Sequence, residues 1–334
     1  MELKFFKMHG CGNDYIFIDN LTGKYNGQNF SQFSTQVSHR NFGIGGDGVV
    51  VISKSKLANA KMNIYNSDGS EGKMCGNAVR CIAKYLIDND IVPSTNASIE
   101  TLCGIKNCVA TLKNGECDSI TIDMNAPNFD TQSILKKEFA QIHQQYINQK
   151  LRVDNTELVV TLVSMGNPHT VIFWDKNRET LQTYLHKHPQ KPLTYQLTPN
   201  NISAQQGDIA NYSLSTAKDM TQLQQLDITG IGSKIERHNI YADRTNVEFV
   251  TTLTPTHLQM RVWERGSQET LACGTGATAI VAVACKLGIC PINQDITVTL
   301  QGGQLMIRQT PQTIYLSGSC EFVFGGVITI ENET

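Results

Sequence analysis

Apolar and polar residues alternate over short runs in two distant parts of the chain. Met62-Asn63-Ile64-Tyr65 and Met260-Arg261-Val262-Trp263 have a period of two, which predicts a strand in each place. Each run leads into a polar, glycine-rich loop that ends at Cys-Gly, and a helix of small residues is predicted to follow. The first covers 77–86 and the second 276–285. The second is apolar nearly all round, which predicts a helix buried on every side. Further strands are predicted at 98–102 and 295–300.

These elements belong to an internal duplication. Residues 62–104 align without gaps on 260–302. Met62, Glu71, Cys75, Gly76, Ile82, Ile91 and Pro93 recur as Met260, Glu269, Cys273, Gly274, Ile280, Ile289 and Pro291. Thr101, Leu102 and Gly104 recur as Thr299, Leu300 and Gly302. The period is far too long for a solenoid and reads as two copies of one domain. A second echo comes earlier in each half, where Gly12-Asn13 and Gly166-Asn167 are turns entering β-rich runs. A central helix wrapped by antiparallel strands, built twice, fits the pattern and makes the chain α+β. The expected boundaries are 1–125 for the first domain, completed by a C-terminal strand at 322–334, and 126–321 for the second. Two segments read as additions. Residues 131–150 suggest an amphipathic helix around Leu135, Phe139, Ile142 and Tyr146, and 186–224 suggest a polar surface insertion.

Composition narrows the functional classes. The 334 residues are 40% hydrophobic, enough for a substantial core and for two domains. The net charge is −2 with no basic run, so nucleic acid is not expected as a partner. No apolar stretch approaches the roughly 20 residues of a membrane span. The first residues lack the pattern of a signal peptide, which points to the cytoplasm. There the ten cysteines are expected to be reduced. None forms a CxxC pair, and no histidines stand at zinc-site spacing, so no metal is expected. Asp47 and Gly48 lie in a glycine-rich loop, but neither a following Lys-Ser/Thr nor a dinucleotide acidic position accompanies it.

The candidate chemistry lies at Cys75 and Cys273. A cysteine at a helix start faces free backbone N–H groups and the positive end of the dipole, and both favour thiolate. A helix terminus contributes up to about 2 kcal/mol, roughly 1.5 pK units, so each thiol is expected to be poised near neutral pH. Such a pair suits proton transfer, in which one sulfur takes a proton and the other gives one. The same N–H groups suit a substrate carboxylate. Taken singly, a Cys is more often a small packing residue. Two Cys-Gly pairs at equivalent helix starts, in polar loops, favour function.

The motifs around these positions are long. They are Met8-His9-Gly10-Cys11-Gly12-Asn13-Asp14, Gly43-Ile44-Gly45-Gly46-Asp47-Gly48, and the run from Asn66 to Cys81. Ser164-Met165-Gly166-Asn167-Pro168-His169, Arg244-Thr245-Asn246-Val247-Glu248-Phe249 and the run from Glu264 to Gly276 complete the set. Across most of the chain, with the 186–224 insertion outside, the sequence resembles the diaminopimelate epimerase family. The resemblance implies interconversion of LL- and meso-diaminopimelate without a cofactor, in lysine and peptidoglycan-precursor synthesis. It implies two pseudo-symmetric domains with the site between them, and a homodimer is a further expectation. Cys75 and Cys273 match the catalytic pair. Gly76-Asn77 and Gly274-Thr275 match the helix starts that hold the reacting carboxylate. Asn13, Asn66, Asn167, Asn246 and Arg265 match substrate-binding side chains, mostly for the distal centre. His169 and Glu264 match positions that tune the cysteines or hold the reacting amino group. A distal ammonium-carboxylate centre calls for a cation, a carboxylate and amides, which Arg265, Glu264 and the asparagines supply.

The chain departs from that pattern at three places. Gln268 stands where the family usually has Gly; a side chain there adopts a positive φ only with strain, so the loop is expected to take another path. Gly48 replaces a substrate-contacting Gln of some members. Cys11 replaces an aliphatic residue and is a candidate third thiol near the cleft. Competing readings are a proline-racemase-like enzyme, a thiol hydrolase using Cys75 or Cys273 with His169, and a binding module. The first needs no distal grip, the second leaves the duplicated cysteine without a purpose, and the third leaves both cysteines without one.

Overall fold

The computed structural model describes residues 2–188, 196–199, 212–215 and 222–329. The first half runs β1 (Glu2–Gly10), β2 (Asn13–Asn20), α1 (Phe30–Val37), β3 (Gly48–Ser53), β4 (Ala60–Asn66), β5 (Glu71–Gly72), α2 (Gly76–Asp88), β6 (Asn96–Thr101), β7 (Gly104–Lys113) and β8 (Glu116–Asp123). The second begins with α3 (Lys137–Ala140), β9 (Gln149–Val153), β10 (Thr156–Ser164), β11 (Pro168–Phe173), α4 (Arg178–Lys187), β12 (Gln196–Pro199), β13 (Tyr212–Ser215), α5 (Gln222–Gln225) and α6 (Ile228–Glu236). It continues through β14 (Asn246–Thr254), β15 (His257–Glu264), β16 (Gln268–Thr270), α7 (Gly274–Lys286), β17 (Asp295–Leu300), β18 (Gly303–Gln309), β19 (Ile314–Gly318) and β20 (Glu321–Thr329).

The strands pair in the same order in both halves. In the first, β1–β2, β3–β4, β6–β7 and β7–β8 are antiparallel, while β2–β3 and β4–β6 are parallel. In the second, β10–β11, β14–β15, β17–β18 and β18–β19 are antiparallel, while β11–β14 and β15–β17 are parallel. A parallel pair needs a crossover, and the equivalent crossovers carry equivalent helices. α1 connects β2 to β3, and α6 lies between β11 and β14. Each is capped by a side chain, Asn29 accepting from the Gln32 amide and Asp227 from the Gly230 amide. The halves join where β8 pairs with β19 and where β20 returns to pair with β1.

Helices α2 and α7 are both 13 residues long and begin at the residue after each repeated cysteine. They lie inside the sheets because their faces are small and apolar. In α7 every residue from Gly276 to Ala284 is buried, as its all-round apolar pattern predicts. Ile82 and Ile280, equivalent in the duplication, are both fully buried in one shared core with Phe17, Ile120 and Val298. Each such side chain contributes about 1.5–3 kcal/mol. A second core, with Phe249, Trp263 and Ile231, lies under α6, and a third, with Ile16, Ile18 and Phe33, lies under α1.

The 131–150 segment departs from expectation. It forms a 3-10 turn at Thr131–Ser133 and the single turn α3, with no amphipathic helix. Leu135 and Tyr146 are buried in the second core, but Ile142 is exposed. Leu135 bridges to Tyr241, and the Thr131 hydroxyl bonds the His143 carbonyl. Tertiary partners capture these apolar residues one by one, so their helical spacing is not used. Most of the expected 186–224 insertion lies outside the described residues; within it, β12 pairs antiparallel with β13. The C-terminal strand is described to Thr329, and residues 330–334 lie outside.

Candidate active site

Both repeated cysteines occupy the N-cap of their helix in extended conformation, Cys75 at φ −137° and Cys273 at φ −125°. The two helix starts abut. A Cβ added at Gly274 would lie 3.8 Å from Asn77 Oδ1. Neither helix has an acidic residue in its own first turn, though the Glu248 carboxylate from β14 approaches the start of α7 at Gly276. The starts open into a cleft of about 1090 Å³. All the sequence-predicted site residues line it except His169, which is fully buried behind it.

At Cys75 the thiol donates to Asn13 Oδ1 over 3.4 Å, and Asn77 Nδ2 donates to the same oxygen over 2.9 Å. The Tyr15 hydroxyl stands beside the sulfur. Burial raises the Cys75 pKa, while the Ala78 and Asn77 amides and Tyr15 pull it down. At Cys273 the sulfur accepts from the Gly276 amide at 3.3 Å and lies 3.4 Å from Thr275 Oγ1. Burial raises this thiol well above its ordinary value, and the carboxylates of Glu264 and Glu248 push the same way. The expectation of thiols poised near neutrality by the helix starts is therefore corrected. Desolvation of a buried charge outweighs a helix terminus worth up to about 2 kcal/mol. Glu264 is raised as well, first by burial, against hydrogen bonds from Thr270 and Cys273.

Behind Cys273 lies a chain that ends on an acid. His169 Nδ1 is 2.6 Å from Glu248 Oε1, and both side chains are fully buried. His169 Nε2 is 2.9 Å from Asn167 Oδ1, and Asn167 Nδ2 donates to Thr275 Oγ1 over 3.3 Å. Glu248 and Tyr15 were not singled out from sequence. For Glu248 a signal existed: an acid inside the apolar run Val247-Glu248-Phe249-Val250 is out of place in a core strand unless it has a partner. Tyr15 gave none, since an aromatic in a strand is ordinary packing.

At the far side of the cleft, Asn246 is fixed by two bonds. Its Oδ1 accepts from the Arg265 amide at 2.8 Å and its Nδ2 donates to the Pro168 carbonyl. Arg265 Nη1 donates to the Asp243 carbonyl and carboxylate, each at 3.0 Å, leaving its other N–H groups for a ligand. Asn66 Nδ2 donates to Ser70 Oγ. The cleft thus offers the guanidinium of Arg265, with Arg244 beside it, and several amides at a distance from the two sulfurs, the donor set that a second carboxylate-bearing centre requires.

Three departures are resolved here. Gln268 does not take another path: it adopts φ 65° and keeps Glu264 opposite it in the β15–β16 ladder. Gly48 pairs with Asn66, and an added Cβ would lie 2.2 Å from the Tyr65 carbonyl oxygen, so this backbone admits no Gln. Cys11 is not a third thiol of the cleft. It is buried, and its carbonyl lies where a Cβ on Gly302 would come within 1.8 Å, at the seam between the halves. Among the described residues no group of three or more His, Cys, Asp or Glu side chains is arranged to hold a metal.

The chain is similar to known proteins along nearly all of its length. The sequence model of the family described as diaminopimelate epimerase matches residues 5–129 and 218–323. The diaminopimelate epimerase of Brachyspira hyodysenteriae is 34% identical over 99% of this chain and 100% of its own length. That of Methanococcus maripaludis strain C5 is 36% identical over 98% of this chain and 100% of its own. Among solved structures, a hydroxyproline epimerase from Agrobacterium vitis with bound trans-4-hydroxy-L-proline superposes with a TM-score of 0.60. It is 14% identical and covers 98% of this chain and 91% of its own. A PhzF-family phenazine biosynthesis protein of Bacillus anthracis also gives 0.60, at 14% identity, covering 99% and 100%. These two show the shared fold.

Proposed function

The chain belongs to the diaminopimelate epimerase family and is an isomerase, and from that premise we propose that Cys75 and Cys273 are its two proton-transfer groups. The observation that carries this is their placement at the N-caps of two equivalent helices whose starts abut in one cleft. The reacting carboxylate of diaminopimelate sits against the amides of Gly76-Asn77 and Gly274-Thr275. One sulfur, as thiolate, takes the α-proton, and the electron pair of the broken C–H bond remains on the α-carbon. The helix starts stabilise the charge that develops beside them. The other sulfur, as thiol, delivers its proton to the opposite face and is left as thiolate. Arg265 and the amides of Asn13, Asn66, Asn167 and Asn246 hold the distal centre. Glu264 and His169 bear on the Cys273 side. No cofactor enters this scheme.

The reading extends to the rest of the molecule. We place its domains at 1–125 with the returning strand, and at 126–321. We place the enzyme in the cytoplasm as a homodimer.

The test is to incubate the reduced protein with LL-diaminopimelate in deuterium oxide and follow meso product and α-deuterium together. Exchange and product are expected to rise in step. Cys75→Ser and Cys273→Ser should each lower turnover by roughly a hundredfold or more. Absence of exchange, or near-full activity in either variant, sinks the two-sulfur scheme.

A further inference from the structure

Two hydrogen-bonded chains end at the two helix starts, and they have opposite polarity. Asn167 turns its oxygen away from the helix, toward His169, and its Nδ2 toward Thr275. Asn13, its counterpart in the first half, does the reverse. Its Nδ2 donates to Asp47 Oδ2 over 2.6 Å, and its oxygen receives Cys75 and Asn77. An amide cannot present oxygen on both sides, so whatever fixes one end fixes the other. The far side of Asp47 is held in turn. Its Oδ2 also accepts from the Asp14 amide at 3.2 Å, and its Oδ1 accepts from Arg40 at 2.8 Å. Arg40 and Lys7 both pair with Asp14. With both oxygens taken by donors, Asp47 is an acceptor only.

We propose that Asp47 is a positioning residue for Cys75. By accepting from Asn13 Nδ2 it turns the Asn13 oxygen toward the sulfur, which gives the Cys75 thiol a fixed acceptor in the empty site. Cys273 meets a different acceptor, the Glu264 carboxylate, which Thr270 also bonds, and its sulfur receives the Gly276 amide. The duplication makes the two cysteines equivalent in sequence, and the acceptor each thiol meets, an amide oxygen at Cys75 and a carboxylate at Cys273, makes their surroundings different. The other groups that face Cys75 are the Tyr15 hydroxyl from β2, the Asn77 and Ala78 amides from α2, Glu264 across the cleft and Cys81 deeper in α2. Of these residues Asn77 also bears on Asn13, its Nδ2 donating to the Asn13 oxygen while Arg80 holds its own oxygen; Asp47 alone meets Asn13 Nδ2. The proposal rests on the reading of Cys75 as a proton-transfer group. Its test uses no substrate, so it stands or falls apart from that reading.

The test is the pH midpoint for alkylation of each cysteine by iodoacetamide, read by peptide mass spectrometry on the full chain. In Asp47→Ala, Asn13 loses the partner of its Nδ2 and is held by Asn77 alone, so the thiol's acceptor is no longer fixed from both sides. The Cys75 midpoint is expected to fall by about 0.5–1 pH unit while that of Cys273 stays. Asp47→Ser still offers the Asp14 amide an oxygen but is too short to hold Asn13, so it should behave alike if the alanine variant fails to fold. Asp47→Asn keeps an oxygen for Asn13 and should keep the wild-type midpoint. Midpoints that move together, or a Cys75 midpoint that does not move, would overturn the proposal. So would an asparagine variant that shifts as far as alanine, because charge and not polarity would then be acting.

Discussion

At Cys75 and Cys273 two opposed effects meet on one atom. The helix start favours thiolate by a fixed, local arrangement of amides, and burial opposes it. Burial is the largest influence at both sulfurs, and at Cys273 two carboxylates add to it. The folded pKa values are raised, so the thiolate one partner needs becomes available as pH rises, and the thiol the other needs is lost only above the second ionisation. The turnover rate is therefore expected to climb with pH from neutrality into the alkaline range before falling. A profile of exchange rate against pH that peaks below neutrality would contradict the burial argument. The same balance explains why the cysteines were legible in sequence and their ionisation was not. Position at a helix start follows from the Cys-Gly pairs and the small residues after them, but desolvation depends on what the other half of the chain places around them.

The hairpin of β15 and β16 shows how an element carries a site residue. Glu264 ends one strand and Gln268 begins the next, directly opposite. The turn between them uses Gly266 at φ 83° and Gln268 at φ 65°. The strain expected of a side chain at Gln268 is accepted in place, because the ladder on either side fixes the register. Gln is unbranched and exposed here, so it tolerates the left-handed region better than a β-branched residue would. Gln268→Val is expected to cost about 1–3 kcal/mol in urea unfolding and to lower turnover by displacing Glu264. Unchanged stability would show that the hairpin holds its register without this residue. Elements with a clear period, the strands before each cysteine and the helices α2 and α7, were readable from the sequence. The 131–150 segment was not, because Leu135 and Tyr146 are drawn into the second core by neighbours distant in the chain.

On the scale of the whole molecule, the two halves are stitched by β8 to β19 and by the return of β20 to β1. Strand β20 carries Phe322, Val323, Phe324 and Val327, each more than 40% exposed. Among the described residues it pairs with β1 alone, so its other edge is open. An exposed apolar strand with a free edge is the kind of surface a soluble chain covers by association. Phe322→Lys is expected to shift the protein from dimer to monomer in sedimentation velocity; a wild-type chain that sediments as a monomer at micromolar concentration would refute the dimer.

The sequence by itself determined that there are two copies of one unit, that each begins a helix at a Cys-Gly pair, and which family the motifs resemble. Repeats, periods and helix starts are properties of neighbours along the chain, so composition and spacing carry them. Only the tertiary structure decided that the two helix starts abut, that burial outweighs their field, and that Glu248 lies beneath His169. It also decided that Asn13 and Asn167, alike in sequence, face opposite ways. These outcomes depend on solvent exclusion and on hydrogen-bond partners brought from far along the chain, and no local pattern encodes either.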